Sequence, residues 1–170
     1  MKRILGLVSI IILTVFTAEA QTLKFGHINS DELIQALPEY DSANVKLENL
    51  SKELTNNLEL MSVELNNKSE AYTKESKNLT DLVRQTKEQE LVDLQRRIQE
   101  FQTNAQSQFQ NKQIELLQPI YAKVDKALKD LGKENGFVYI FDISKGGLVF
   151  YDETKSTDVM PLAKAKLGLK

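Results

Sequence analysis

The sequence predicts an α+β protein in which a long antiparallel coiled-coil hairpin projects from a small β-sheet body, with the protein oligomerised through that body. Residues 39–131 contain a single proline, Pro119, and no glycine, so very long helices can form there. Apolar residues recur in this region in steps of three and four, which is the pattern of a coiled-coil seam. Short runs rich in β-branched and aromatic residues after the hairpin predict the sheet.

The apolar steps form two runs that predict the two arms of the hairpin. The first run is Leu47, Leu50, Leu54, Leu58, Met61, Leu65, Tyr72, Leu79 and Leu82. The second run is Leu91, Leu94, Ile98, Phe101, Ala105, Phe109, Leu116, Ile120, Val124, Leu128 and Leu131. A straight helix through the polar segment 84–90 is possible, but a fold-back lets the two runs cover each other. We therefore predict a turn near Thr86, a tip near 83–90, and contact between Tyr72 and Phe101.

The N-terminus has the features of a secretory signal peptide. Lys2 and Arg3 precede the apolar run 4–16, and Ala18-Glu19-Ala20 follows it as a small-x-small cleavage site. The alternative is a buried or anchoring helix, but the apolar run is short for a membrane span. We predict a cleavable signal peptide at 1–20 and a location in the periplasm.

The composition excludes several classes of function. The full chain carries a net charge of −2, and the chain after Ala20 carries 20 basic and 23 acidic side chains, net −3, which argues against nucleic acid as a partner. There is no cysteine and one histidine, so neither thiol chemistry nor a zinc site is expected. No nucleophile motif or phosphate-binding glycine loop is present. The sequence therefore predicts no enzyme, no cofactor and no metal.

The segment 21–38 predicts the first part of the body. Residues 23–28 read as a short strand, and Asn29 with Glu32 three residues later is typical of a helix cap. A brief helix at 31–37 would stop before Pro38, which suits the first turn of the next helix. His27 could be a pH-sensitive group or a ligand, but an ordinary strand histidine with a local hydrogen-bond partner is the preferred interpretation.

The segment 132–170 predicts the rest of the body. Gly132 should end the second arm, 137–143 should form a strand, and 148–151 should form a second strand joined to it in a β-hairpin. Asp158 should cap a last helix that Gly168 closes. Because this body is too small to bury a sufficient core alone, we expect strands from several chains to share one core. The candidates for that oligomerisation core are Phe25, Ile28, Val138, Ile140, Leu148 and Phe150.

Several short segments, taken together in their order along the chain, resemble the Skp (OmpH-like) family of periplasmic chaperones. The resemblance rests on the sequences at 25–30, 37–40, 136–142, 147–151 and 157–159, with the glycine-free hairpin between them. It implies a homotrimer whose three hairpins surround a cavity and hold unfolded outer-membrane proteins without ATP, with at most peripheral membrane contact. The best-known members look strongly basic, whereas residues 39–131 here carry 13 basic and 16 acidic side chains.

The leading hypothesis is therefore a holdase chaperone, and the alternative is a structural or adaptor coiled coil of the cell envelope that binds a folded partner. Near the expected tip, Leu82 and Val83 are adjacent, as are Leu91 and Val92, so one member of each pair should stay exposed. Nearby cations could contact acidic segments of a client. The candidates for client binding are Leu79, Leu82, Val83, Arg84, Lys87, Leu91, Val92, Arg96 and Arg97.

Overall fold

The computed structural model describes residues 23–169, so the predicted signal peptide at 1–20 lies outside the described residues. In chain order the elements are β1 (Lys24–Ile28), α1 (Ser30–Gln35), α2 (Pro38–Glu75), a short 3-10 turn (Ser76–Asn78), α3 (Asp81–Glu134), β2 (Phe137–Asp142), β3 (Ser156–Asp158) and α4 (Met160–Lys166). This is an α+β coiled-coil hairpin with a small sheet, as the sequence predicts.

The two long helices pack against each other as antiparallel arms. Near the body, the Lys123 ammonium lies 2.5 Å from the Glu39 carboxylate, and far from the body Lys68 bonds to Glu90. At about 1.5 Å per residue, α2 extends roughly 57 Å and α3 roughly 81 Å. All the predicted seam residues except Leu82, which is exposed, are buried or half-buried along the two arms. The extra length of α3 continues into the body, where it forms one wall of the core.

The predicted turn near Thr86 is wrong, because Thr86 lies inside α3. The arms reverse instead at 76–80, where the side chain of Thr80 caps α3 by accepting a hydrogen bond from the Val83 amide. Tyr72 bonds to Glu88 across the arms rather than facing Phe101. A seam with a regular repeat can be paired in several registers, so apolar spacing alone does not fix the turn.

The predicted helix boundaries near the ends of the chain are largely confirmed. The Asn29 side chain accepts a hydrogen bond from the Glu32 amide at 3.1 Å, and Pro38 begins α2. Asp158 accepts from the Met160 amide at 2.8 Å at the start of α4. Gly132 does not end the second arm: α3 continues to Glu134, and the left-handed residue that follows it is Gly136, at φ 69°.

The sheet is parallel, with the order β2-β1-β3, and the predicted β-hairpin is wrong. Residues 148–151 form no strand, and β1 pairs instead with β2 on one side and with Ser156–Asp158 on the other. The composition of 148–151 favours a strand, but a strand also needs an edge to pair with. Both edges of β1 are already paired, and 148–151 joins neither β2 nor β3 at its outer edge. In this segment Val149 and Phe150 are exposed, whereas Leu148 and Tyr151 are half-buried.

The core lies between one face of the sheet and the helices of the body. Gly26 and Ile28 of β1 face it, while Phe25 and His27 face the other way, in the alternation expected of a strand. Residues from all four helices complete the core: Leu33, Ile34, Ala43, Leu117, Ile120, Val124, Leu131, Met160 and Ala163.

Gly26 gives the first prediction, because this position has no room for a side chain. A Cβ atom there would lie 2.9 Å from Val159 Cγ1 and 3.1 Å from the Phe137 ring. We expect Gly26→Ala to lower the free energy of unfolding by about 1–3 kcal/mol through overpacking. The matched control is Gly147→Ala, where nothing lies within 4 Å. Urea unfolding followed by circular dichroism measures both, and equal stability of the two variants would contradict the prediction.

Candidate functional site

The hairpin surface carries exposed apolar side chains that are spread singly along both arms. On α2 they are Val45, Leu60 and Val63, and on α3 they are Leu82, Val83, Val92 and Ile114. Polar and charged residues separate most of them, so they form no continuous apolar strip. Isolated exposed apolar residues are common on protein surfaces. What distinguishes this surface is its length, which offers many weak apolar contacts instead of one pocket.

The structure brings the apolar tip candidates to the far end of the hairpin and exposes most of them. Leu82 is 75% exposed, and Val83 beside it is also exposed, so neither is held in the seam. Val92 is exposed while Leu91 is half-buried, as the adjacency argument predicts. Leu79 is half-buried at the reversal. The tip therefore presents an apolar surface at the start of α3.

The cationic candidates near the tip are mostly paired with carboxylates of the same chain. Arg84 contacts Asp81 at 2.6 Å, and Lys87 lies 3.7 Å from Glu75 on the other arm. Arg96 contacts both Asp93 and Glu100. These pairs reduce the positive field at the tip, consistent with the acidic balance of the hairpin. Strong attraction of acidic segments is therefore a weaker interpretation of these residues than apolar contact.

Polar contacts between the arms interrupt the apolar packing in the far third of the hairpin, although Leu94 there is buried. Lys68, which occupies a seam position, bonds to Glu64 and to Glu90 of the opposite arm, and Tyr72 bonds to Glu88. The hydrogen bond to Glu90 raises the pKa of Lys68, and the bond from Lys68 lowers the pKa of Glu90. Exposed ion pairs stabilise little, so this end of the hairpin should separate more readily than the end beside the body.

The outer face of the sheet is aromatic and open to solvent in a single chain. The rings of Phe25 and Tyr139 stack 6.2 Å apart, and those of Tyr139 and Phe141 lie 5.8 Å apart. Tyr151 covers His27 at 4.6 Å between ring centroids. His27 Nδ1 lies 2.9 Å from the Ser156 hydroxyl oxygen, which confirms the interpretation of this histidine as a strand residue with a local partner.

The six candidates for the oligomerisation core occupy different environments. Ile28 is fully buried within the chain and Ile140 packs against the same core, whereas Phe25 belongs to the open aromatic face. Val138 is exposed and Phe150 is 80% exposed. Leu148 is half-buried. Sequence reasoning missed five further exposed apolar residues of the body, although their types alone could have indicated them: Leu23, Tyr139, Phe141, Val149 and Leu162.

Asp142 joins the end of β2 to the start of α1. Its Oδ2 accepts a hydrogen bond from the Ser30 hydroxyl at 2.5 Å, and its Oδ1 accepts from the Ser30 amide at 3.2 Å. The Ser144 amide and hydroxyl also donate to Oδ1, at 3.0 and 2.8 Å. Partial burial acts to raise the pKa of Asp142, but these four hydrogen bonds together hold that pKa below its ordinary value.

The second prediction concerns the pH dependence that Asp142 confers. Since its pKa is lower in the folded state, its contribution to stability is complete above the ordinary aspartate pKa of about 3.9 and is lost as the pH falls through the lower folded value. We expect Asp142→Asn to reduce stability at pH 7 and to flatten the fall in stability below pH 4. Urea unfolding at a series of pH values measures this, and an unchanged slope in the variant would contradict it.

Two negative findings apply to residues 23–169. No cluster of histidine, aspartate and glutamate side chains in this part of the chain could hold a metal ion. Across the same residues, no helix combines the length and apolar character needed to cross a membrane.

The fold and surface define a class of protein in which a long antiparallel helical hairpin is carried on a small α+β body and exposes dispersed apolar residues. The chain matches the family model described as outer membrane protein (OmpH-like) over residues 24–167. The protein therefore belongs to the OmpH-like family, which is the Skp/OmpH family. Membership supports a chaperone-type role in the periplasm. No curated protein matches the chain.

Proposed function

We propose that this protein is an ATP-independent holdase that binds unfolded outer-membrane proteins in the periplasm and prevents their aggregation before membrane insertion. The observation that carries the proposal is the dispersed set of exposed apolar side chains along both arms. An unfolded β-barrel protein exposes apolar side chains at many points along an extended chain. A long surface with many weak apolar contacts suits such a client better than a single pocket does.

The working form in this proposal is a homotrimer assembled through the body. Its support is the apolar surface that one chain leaves open: the aromatic face of Phe25, Tyr139 and Phe141, together with Val149 and Phe150. Between β2 and the lower part of α3 there is also an open groove of about 730 Å³, to which Val124, Leu128 and Ile140 contribute. Neighbouring copies would cover these surfaces, and three hairpins would then project from one end.

Client contact is proposed at the tip, where Leu82, Val83 and Val92 are exposed. We expect the arms to separate most readily there, because polar contacts interrupt the apolar seam near Lys68 and Tyr72. A tip that can move adapts to clients of different shapes.

The experiment dilutes a urea-unfolded outer-membrane β-barrel protein into buffer without nucleotide and follows its aggregation by light scattering. We expect the unmodified protein to suppress scattering, and Val83→Ser with Val92→Ser to suppress it less while helicity and assembly stay unchanged. Val45→Ser with Val63→Ser, near the body and on the middle of α2, removes two residues of the same dispersed set away from the tip and should weaken suppression less than the tip variant does. Failure of the unmodified protein to suppress aggregation would defeat the holdase proposal, and equal suppression by both variants would move client contact away from the tip.

A pull-down from the envelope fraction tests the choice between the two kinds of binding protein. Recovery of unfolded β-barrel proteins supports the holdase. Recovery of one folded partner in fixed proportion, without unfolded chains, would replace the holdase by an adaptor coiled coil.

A further inference from the structure

The middle of α3 contains the longest stretch without charge in either long helix. From Phe101 to Asn111 no side chain is charged, while Glu100 and Lys112 bound the stretch on either side. Three of its residues, Phe101, Ala105 and Phe109, are half-buried in the seam. The remaining eight are uncharged polar residues, and all are exposed: Gln102, Thr103, Asn104, Gln106, Ser107, Gln108, Gln110 and Asn111.

On one flank of the seam, this stretch lines a groove of about 580 Å³ between the arms. Asn104, Gln108 and Asn111 line the groove from α3, and Leu50 lines it from α2. The spacing i, i+4, i+7 places the three amides in a row along one face of α3. Lys112 and Glu115 stand at one end of the groove and neutralise each other at 2.7 Å. The groove is therefore a ladder of amides beside an apolar residue, without net charge.

The amides of this ladder have hydrogen-bonding capacity left over. The hydroxyl of Ser107 donates to the Thr103 carbonyl at 3.1 Å and so is satisfied within the helix. By contrast, within residues 23–169 the side chains of Asn104, Gln108 and Asn111 make no hydrogen bond to another protein group. Each carries two N–H donors and one carbonyl acceptor, the same kinds of group as a peptide unit.

The first step of this row is close to the main-chain repeat of an extended polypeptide. Along the helix axis Asn104 and Gln108 are about 6 Å apart and Gln108 and Asn111 about 4.5 Å apart, at 1.5 Å per residue. In an extended chain the N–H and C=O groups on one side recur every second residue, roughly every 6.6 Å. These groups are unpaired in an unfolded β-barrel protein, and each needs a partner when it leaves water.

We propose that the amide ladder Asn104–Gln108–Asn111 binds extended, unfolded polypeptide through its main-chain N–H and C=O groups, with Leu50 contacting a client side chain. The inference rests on the proposed holdase function and specifies its recognition chemistry. Main-chain contacts do not depend on client sequence, and contacts between neutral groups are not screened by salt. The ladder would therefore let this slightly acidic chain bind clients without a strongly positive surface.

The test uses the full assembled protein and a short, capped, uncharged peptide of alternating serine and valine with one tryptophan, a residue the protein does not contain. Fluorescence anisotropy of that tryptophan reports binding at low and at high salt. Asn104→Ala, Gln108→Ala and Asn111→Ala together remove the ladder. The matched control, Gln102→Ala, Gln106→Ala and Gln113→Ala, removes as many amides from the opposite flank of the seam. A second peptide replaces alternate main-chain amides by esters and so removes main-chain donors without changing side chains.

We expect the ladder variant to bind the peptide roughly tenfold or more weakly, the effect of losing a few net hydrogen bonds, and the control to bind normally. Binding to the unmodified protein should be equal at both salt concentrations and weaker for the ester peptide. Equal binding by the two variants, no loss with the ester peptide, or a steep fall with salt would overturn the inference. After such a result, the aggregation assay separates the two proposals. If the unmodified protein still suppresses aggregation of a β-barrel protein, only the proposed role of the amide ladder is wrong. If the unmodified protein does not suppress aggregation, the holdase proposal itself is wrong.

Discussion

Replacing Leu131 by alanine is expected to lower the free energy of unfolding by about 2–5 kcal/mol. Leu131 is 1% exposed and lies in the core where the end of α3 meets the sheet and α4. Truncation removes apolar contacts and leaves a cavity, because the surrounding helices and strand relax only partly. A loss of that size is a large part of the total stability of a small domain.

Urea unfolding at a fixed protein concentration measures this effect, since any assembly makes stability depend on concentration. Leu60→Ala is the matched control, because Leu60 is 68% exposed on α2 and its truncation should change stability by less than about 0.5 kcal/mol. The prediction fails if both substitutions cost the same.

If the protein assembles through its body as proposed, replacing Val149 and Phe150 together by serine is expected to dissociate it into single chains. Both side chains point into solvent, so their removal should leave the fold of one chain intact. If neighbouring copies cover them, the substitution removes two large apolar contacts from every interface of a symmetric assembly, at about 1.5–3 kcal/mol for each buried side chain.

Light scattering coupled to size-exclusion chromatography gives the mass of the particle, and circular dichroism reports the fold. Leu60→Ser with Val63→Ser changes two exposed apolar residues on the arms and should leave the mass unchanged. An unaltered mass after the Val149 and Phe150 substitutions would show that this segment is not part of the interface.

Local chemistry made much of this fold predictable from the sequence. The seam follows from apolar periodicity, which each helix expresses independently of its partner. The roles of Asn29 and Pro38 at helix starts were predictable because helix capping depends only on neighbouring residues. The exposure of Val92 beside half-buried Leu91 followed from helix geometry in the same way.

The register of the arms and the pairing of the strands depend on contacts between distant residues, and there the sequence predictions were wrong. Several registers satisfy a repeating seam, and the one adopted joins Lys68 to Glu90 and Tyr72 to Glu88, with the start of α3 capped by Thr80. The segment 148–151 has the composition of a strand, but within the described residues it pairs with neither outer edge of the sheet, on β2 or on β3. The row of amides lies within the predicted second arm, but the position of Leu50 beside it depends on the register of the arms and so was not predictable.

The sheet topology also sets the order in which the molecule can fold. Lys24 of β1 pairs with Phe137 of β2, so the whole hairpin separates two neighbouring strands. Closing so long a loop is entropically costly until local contacts between the arms have drawn its ends together. During export N-terminus first, β1 would emerge before both of the strands that flank it. The body, and with it any assembly through the body, therefore needs almost the whole chain, and we expect it to form after the two arms have paired.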